Sequence, residues 1–307
     1  MAQNADFQLD RRLLKKRFDA AAARYDSADV LAREIARRMD ERLDYIRIAP
    51  KRIIDLGCGT GSDLLRLAAR FPEAELIGLD FSLPMLEQCQ QRITPQSGRA
   101  RRFLERLTGS PSRGAALIAA DADALPLPRA SVSLAWSNLM LPGLHDPLPA
   151  LQELHRVLEV GGLLMFSSLG PDTLRELREA LPDRAGERVH RFIDMHDIGD
   201  VLVKAGFSDP VMDMEMLTLT YSDLDTLLSD LRISGGNNAA LSRPRGLCGR
   251  TGWAAARAHY ERLRTEGRLP ATFEVIQGHA WKAPAKTTED GRAVIQFRPR
   301  QADGSSG

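Results

Sequence analysis

The segment Ile53-Ile54-Asp55-Leu56-Gly57-Cys58-Gly59-Thr60-Gly61 constrains this chain more than any other stretch. It reads as a buried strand that ends in an acid and turns through three glycines, the kind of corner at which an open α/β sheet holds a nucleoside-containing ligand. Glycine accepts positive φ in such a turn and has no Cβ to keep a ligand off the backbone. A dinucleotide fingerprint would space its glycines G-x-G-x-x-G, and a nucleotide-triphosphate loop would end in Gly-Lys-Ser/Thr. Here G-x-G-x-G follows Asp55 and no lysine comes after it. A carboxylate at Asp55 disfavours a pyrophosphate and favours a cation.

Three further segments fall in register behind that corner. A strand over 75–82 reaches Asp80-Phe81-Ser82, about one strand-helix unit later, where a carboxylate can accept from both hydroxyls of a ribose. Ribose plus cation points to S-adenosylmethionine. A third strand over 115–121 ends in Asp121-Ala122-Asp123, and an acid there can take the exocyclic amine of adenine. Asp123, a loop acid shortly before a proline, reads more simply as solvated or as a helix cap. A fourth strand over 131–137 ends at Ser137 and leads into Asn138-Leu139-Met140-Leu141, where a methyl acceptor is expected. With Gly161-Gly162 before a strand over 163–168, residues from 50 to about 170 resemble the class I S-adenosylmethionine-dependent methyltransferases. The resemblance implies an α/β fold with a seven-stranded, mostly parallel, Rossmann-like sheet and an antiparallel edge strand.

Composition agrees with a soluble enzyme. At 307 residues, 43% hydrophobic and 27% charged, the chain can bury one large core and carry appendages. A net charge of +1 argues against a strongly basic nucleic-acid binder. Cys58, Cys89 and Cys248 are odd in number and lack C-x-x-C spacing, which suggests reduced thiols, not a disulfide frame or a zinc site. The first ten residues are polar, without the apolar core of a signal peptide, and no apolar run approaches the roughly 18 residues of a membrane span. The expectation is a cytoplasmic protein with no metal, no membrane and no nucleic-acid partner.

Along the chain, helical spacing over 9–23 and 28–46 precedes the sheet, giving an N-terminal helical lid over 1–49. The methyltransferase domain is expected over 50–283, with insertions at 94–114 and 222–267 and a flexible tail over 284–307. Past Pro171 the pattern predicts helices over 173–180, 198–205, 224–233 and 253–266. Strands over 210–221 and 272–281 should pair antiparallel at the sheet edge.

Both ends of the core carry a closer match. The run from Arg17-Phe18-Asp19 through Tyr25-Asp26, then Ser137-Asn138-Leu139, Gly170-Pro171-Asp172-Thr173-Leu174 and the tract 192–221 resemble the malonyl-acyl carrier protein O-methyltransferases of biotin synthesis. That resemblance implies methylation of the free carboxylate of a malonyl thioester on acyl carrier protein, with Tyr25 on a lid near the methionine end of the cofactor. Packing at a helix junction is the other reading of Tyr25. The chain departs from the family after Leu141, where an aromatic residue near Gly143 and an Asn near His145 are common. Another small-molecule methyltransferase, acting on a quinone for instance, or an assembly-factor or hydroxylase relative on the same fold, is the alternative.

Taken together, these readings mark Tyr25, Asp55, Gly57, Cys58, Gly59, Gly61, Asp80, Phe81, Asp121, Ala122 and Ser137 as cofactor-binding. No catalytic base is expected, because a carboxylate acceptor with a reference pKa of about 4 is already ionised at neutral pH. His190 and His196 read as structural hydrogen-bonding groups. Cationic clusters at Arg11, Arg12, Lys15, Lys16 and Arg17, at Arg99, Arg101, Arg102, Arg106 and Arg113, and at Arg243, Arg245 and Arg250 are candidates to steer an acidic carrier protein, with solvated faces as the alternative. An arginine is expected to hold or flank the malonyl carboxylate.

Overall fold

The structure, a computed structural model, describes residues 8–94, 115–181, 188–244, 246 and 249–284. Arg99, Arg101, Arg102, Arg106 and Arg113 of the first expected insertion, Arg245, Cys248 and the tail from 285 lie outside the described residues. The strands are β1 Arg52–Leu56, β2 Glu75–Asp80, β3 Ala116–Ala119, β4 Val132–Ser137, β5 Leu158–Leu169, β6 Ser208–Tyr221 and β7 Leu269–Trp281. They form one seven-stranded sheet in the order β3-β2-β1-β4-β5-β7-β6. The first five are parallel, and β7 lies antiparallel between β5 and β6. The two late strands pair as expected, and it is β7 that meets the parallel set.

Helices α1 Arg11–Ala21, α2 Val30–Arg42, α3 Ser62–Arg70, α4 Leu83–Ile93, α5 Leu148–Val157, α6 Arg175–Ala180, α7 Met195–Lys204, α8 Leu224–Ile233 and α9 Gly249–Glu261 surround the sheet. Parallel strands covered on both faces need apolar side chains in succession, and β4 buries all six of its residues. Because neighbouring residues point to opposite faces, Ile53 joins one core with Ile35 and Met39 of α2 and Leu64 and Leu67 of α3. Ile54 joins the other, with Leu151 and Leu154 of α5 and Ile198 and Leu202 of α7.

Local chemistry sets several boundaries. Asp10 caps α1 by accepting from Leu13 N at 3.0 Å, and Asp223 caps α8 by accepting from Thr226 N at 2.7 Å. Strand β5 starts five residues before its expected position and runs through the glycine pair, with Gly161 at φ 82° and its amide bonded to Lys282 O at 2.8 Å. A glycine pair was a poor marker of the strand start because the antiparallel neighbour satisfies the backbone there.

Strand β1 lies between β2 and β4, so the chain winds away from it in both directions. That arrangement opens a crevice beyond the carboxyl ends of β1 and β4. Among the described residues no helix is long and apolar enough to cross a membrane, and no group of three or more metal-ligating side chains occurs.

Candidate active site

Beyond β1 the chain turns through Gly57, Gly59 and Gly61, with φ of 80°, 51° and 84°. The amides of Gly57 and Cys58 both donate to Leu79 O, at 2.8 and 3.0 Å, which ties the turn to β2. The three glycines have different reasons to lack a side chain. A Cβ on Gly57 would sit 2.8 Å from Met140 Cβ, and one on Gly61 would collide with Cys89 Sγ. A Cβ on Gly59 would meet nothing within 4 Å, so the turn presents bare backbone to open space at that point alone.

That space belongs to a cavity of about 260 Å³ that runs from Gly57, Gly59 and Asp80 to Tyr221 and Phe273. Of the residues marked in the sequence, Tyr25, Gly57, Gly59, Asp80, Phe81, Asp121 and Ala122 line it. Asp55, Cys58, Gly61 and Ser137 stand behind the lining and are all deeply placed or turned to packing. Asp55 is 2% exposed with Oδ2 lacking a hydrogen-bond partner, and Ser137 is 1% exposed with an equally unpartnered Oγ.

Asp80 accepts from Ser82 N at 2.8 Å through Oδ1 and from Gly59 N at 3.0 Å through Oδ2. Burial pushes its pKa up, and those two amides pull it back. Asp55 titrates well above the usual carboxylate range because it is buried, with the Asp63 and Asp80 carboxylates adding to the effect. Asp121 is bound by Arg11 from α1, whose guanidinium also reaches Asp123 Oδ2 at 3.0 Å. Both loop acids are therefore engaged by the same cation. Phe81 packs edge-on against Phe18 of α1, with ring centroids 5.7 Å apart.

After β4, Asn138 is a junction. Its Nδ2 donates to Asp63 Oδ2 and to Ala32 O, both at 3.0 Å, and its Oδ1 accepts from Ser167 Oγ at 2.8 Å. Ser167 Oγ in turn accepts from Leu139 N at 2.8 Å, holding Leu139 at φ 55°. A non-glycine residue in that region persists only where its surroundings enforce it. Asn138, Leu139 and Met140 all line the cavity, as does Gly143, where an aromatic ring would be common in the family resembled above.

At the far end the cavity is built by residues from the C-terminal half. His190 lines it and hydrogen-bonds to the carbonyl of Pro142, while burial lowers its pKa to about 4. Tyr221 lines it too, pushed up to about 12 by burial and by Asp230. His196 lies away from the cavity in the first turn of α7, where the capping Asp194 meets its ring at 2.8 Å, and its side chain is 87% exposed. Among the described lining residues the one guanidinium is Arg11, and Asp121 and Asp123 hold it.

A family profile described as a methyltransferase domain matches residues 54–166. The YcgJ protein of Bacillus subtilis shares the fold, with TM-score 0.52 and 15% identity over 81% of this chain and 98% of that one. The malonyl-(acyl-carrier protein) O-methyltransferase of Laribacter hongkongensis is 48% identical over 297 residues, covering 95% of this chain and 97% of the relative. The enzyme of the same name from Gallionella capsiferriformans is 45% identical over 293 residues, covering 95% and 97%. The chain belongs to the malonyl-(acyl-carrier protein) O-methyltransferase family.

In this member of the O-methyltransferase family, sequence reasoning missed the part of the cavity wall made by Thr173, Leu174, Leu219 and Phe273. No spacing signal joins those positions: Leu219 and Phe273 meet through the antiparallel pairing of β6 and β7, and Thr173 and Leu174 reach β7 through hydrogen bonds to Glu274 and Thr272. Gly235, just past the end of α8, packs tightly on Phe18, where a Cβ would lie 2.8 Å from Cε1.

Proposed function

We propose that this protein transfers a methyl group to the free carboxylate of a malonyl thioester carried on acyl carrier protein, an early step toward the pimeloyl part of biotin. S-adenosylmethionine is the methyl donor: its S–CH3 bond breaks as an ester O–CH3 bond forms, leaving S-adenosylhomocysteine. The observation that carries the reading is the single cavity that joins the glycine turn to a separate end built by Tyr221 and Phe273, so donor and acceptor can meet inside one enclosure.

The residues at hand fit that donor. Open space in front of Gly59 admits a ligand to the backbone, Asp80 retains lone pairs for ribose hydroxyls, and Asp55, with an unpartnered Oδ2, places behind the turn a carboxyl whose ionised form a bound cation would favour. In this reading Tyr25 and Phe81 flank the donor, and Ala122 lines the adenine end beside Asp121. Cys58, Gly61 and Ser137 support the turn from behind. Residues 1–49 act as a lid on the donor end, residues 50–283 are the methyltransferase domain, and the 222–267 insertion covers the acceptor end.

Catalysis then rests on alignment. No proton has to leave a carboxylate acceptor, so His190, held neutral by burial, serves as wall and hydrogen-bond donor to Pro142. Asn138 and Ser167 fix the Leu139-Met140 turn between the two halves, and the apolar lining excludes water. Incubation of the protein with S-adenosylmethionine and malonyl-carrier protein should yield the carrier-bound methyl ester by mass spectrometry. Absence of that ester, with turnover on another small acceptor, would replace this reading.

A further inference from the structure

The N-terminal helix and the segment after α8 are stitched into one rim. Asp10 N donates to Ala239 O at 2.9 Å, Leu241 N to Gln8 O at 2.8 Å, and Arg17 Nη1 to Asn237 O at 2.8 Å. Gly235 packs against Phe18, and both line the cavity together with Gly236, which is exposed to solvent. The rim therefore borders the cavity at Phe18, Gly235 and the solvent-exposed Gly236.

The charges on that rim are uneven. Arg11 and Lys15 of α1 are neutralised by Asp121 with Asp123 and by Asp19, which removes them from the sequence cluster. Arg12 and Lys16, one turn apart on the solvent side of α1, are exposed and make no ion pair among the described residues, and Arg232 at the end of α8 is likewise exposed and unpaired. Arg17 bonds to a carbonyl and not to a carboxylate, and lies near Arg243, which shares Asp10. Burial lowers the Arg17 pKa, and the positive charge of Arg243 lowers it further. Among the described residues, five cations thus face one rim carboxylate, Asp10. The remaining acid nearby, Asp230, lines the cavity.

We infer that the rim formed by Arg12, Lys16, Arg17, Arg232 and Arg243 is the docking surface for an acidic carrier domain, which would deliver its acyl thioester on a flexible arm past Gly236. The inference rests on the methyl-transfer reading and adds to it a place for the partner. Complementary charge acts mainly on encounter, so its removal should raise KM for a carrier-bound acceptor and spare the chemical step.

The test compares two acceptors, malonyl-carrier protein and the carrier-free malonyl thioester of N-acetylcysteamine, in wild type, in the Arg12→Glu/Lys16→Glu double variant and in Lys204→Glu. Lys204 is an exposed cation on α7, which contributes nothing to the cavity, and it controls for net charge. At low ionic strength the double variant should raise KM for the carrier substrate about tenfold or more with kcat unchanged, and that gap should shrink in high salt. Turnover of the carrier-free thioester should match wild type. An unchanged KM for the carrier, an equal loss on both acceptors, or an equal loss in Lys204→Glu would each overturn the docking surface. Failure of wild type to methylate either acceptor would instead overturn the methyl-transfer reading. Fluorescence anisotropy of labelled malonyl-carrier protein would then still read the docking surface, with weaker binding by the double variant supporting it and equal binding rejecting it.

Discussion

The amide of Gly59 donates to Oδ2 of Asp80 across 3.0 Å, so the acid that ends β2 is also a tie for the turn that follows β1. Asp80→Ala removes this bond, the one to Ser82 N and the carboxylate offered to the ligand at once. Affinity for S-adenosylhomocysteine should fall by about 1.5 to 3 kcal/mol, or roughly tenfold to a hundredfold, by titration calorimetry. Unchanged affinity would remove Asp80 from the ligand site.

The glycines separate fold from binding. Gly57→Ala drives a Cβ into Met140 and should lower stability by roughly 1 to 3 kcal/mol in denaturant melts. Gly59→Val meets only open space in the free protein, so it should cost less stability and yet abolish cofactor binding. Wild-type affinity in Gly59→Val would mean that the space before it is not the ligand's.

A reaction without a base leaves its mark on pH dependence. With His190 titrating at about 4 and the acceptor ionised, the single-turnover rate of methyl transfer should stay nearly flat from about pH 6 to pH 8.5. A sigmoid centred near neutrality that vanishes in His190→Gln would show that the acceptor must lose a proton first.

Asp55 has a pKa raised by burial, so the folded chain binds its proton more readily than the unfolded chain does. Its contribution to stability therefore improves as pH falls from the raised value toward the usual carboxylate range, and is lost as pH rises. Asp55→Asn should flatten this part of the dependence: the difference in melting temperature between variant and wild type should shift in favour of the variant as pH rises from 5 to 7.5. Cofactor binding should weaken in the same variant. Parallel pH profiles would contradict a raised Asp55.

Asn138→Ala unties three elements from a buried junction and frees Leu139 from its enforced backbone angle. Stability should fall by about 1 to 3 kcal/mol and kcat more than the KM for donor, measured by thermal melts and steady-state kinetics. A kcat equal to wild type would make the junction purely structural.

The end of the cavity proposed for the donor carries local signals. Asp55 through Gly61, Asp80, and Asp121 with Ala122 each lie at the end of a strand whose apolar run is short and distinct. The acceptor half depends on residues far apart in the chain. Nothing around Leu219 or Phe273 announces that β6 and β7 will bring them to one wall, and at the other end of the cavity the pairing of Arg11 with Asp121 joins positions 110 residues apart. Charge on α1 was visible in sequence, but which of its cations stay free depended on acids contributed from elsewhere. That is why Lys15 is paired with Asp19 while Lys16, adjacent in sequence, is exposed and makes no ion pair among the described residues.

Strand β6 touches the sheet only through β7, although it leaves the ribosome about fifty residues earlier. During synthesis the five parallel strands can assemble as soon as β5 emerges, while β6 must wait as an unpaired segment. The pocket proposed for the donor would thus be an early product of translation and the wall proposed for the acceptor a late one. A nascent chain halted before Leu269 would possess the glycine turn and Asp80 but no closed chamber for the second substrate, which makes the final strand the step at which a nucleoside-binding platform becomes a two-substrate enzyme.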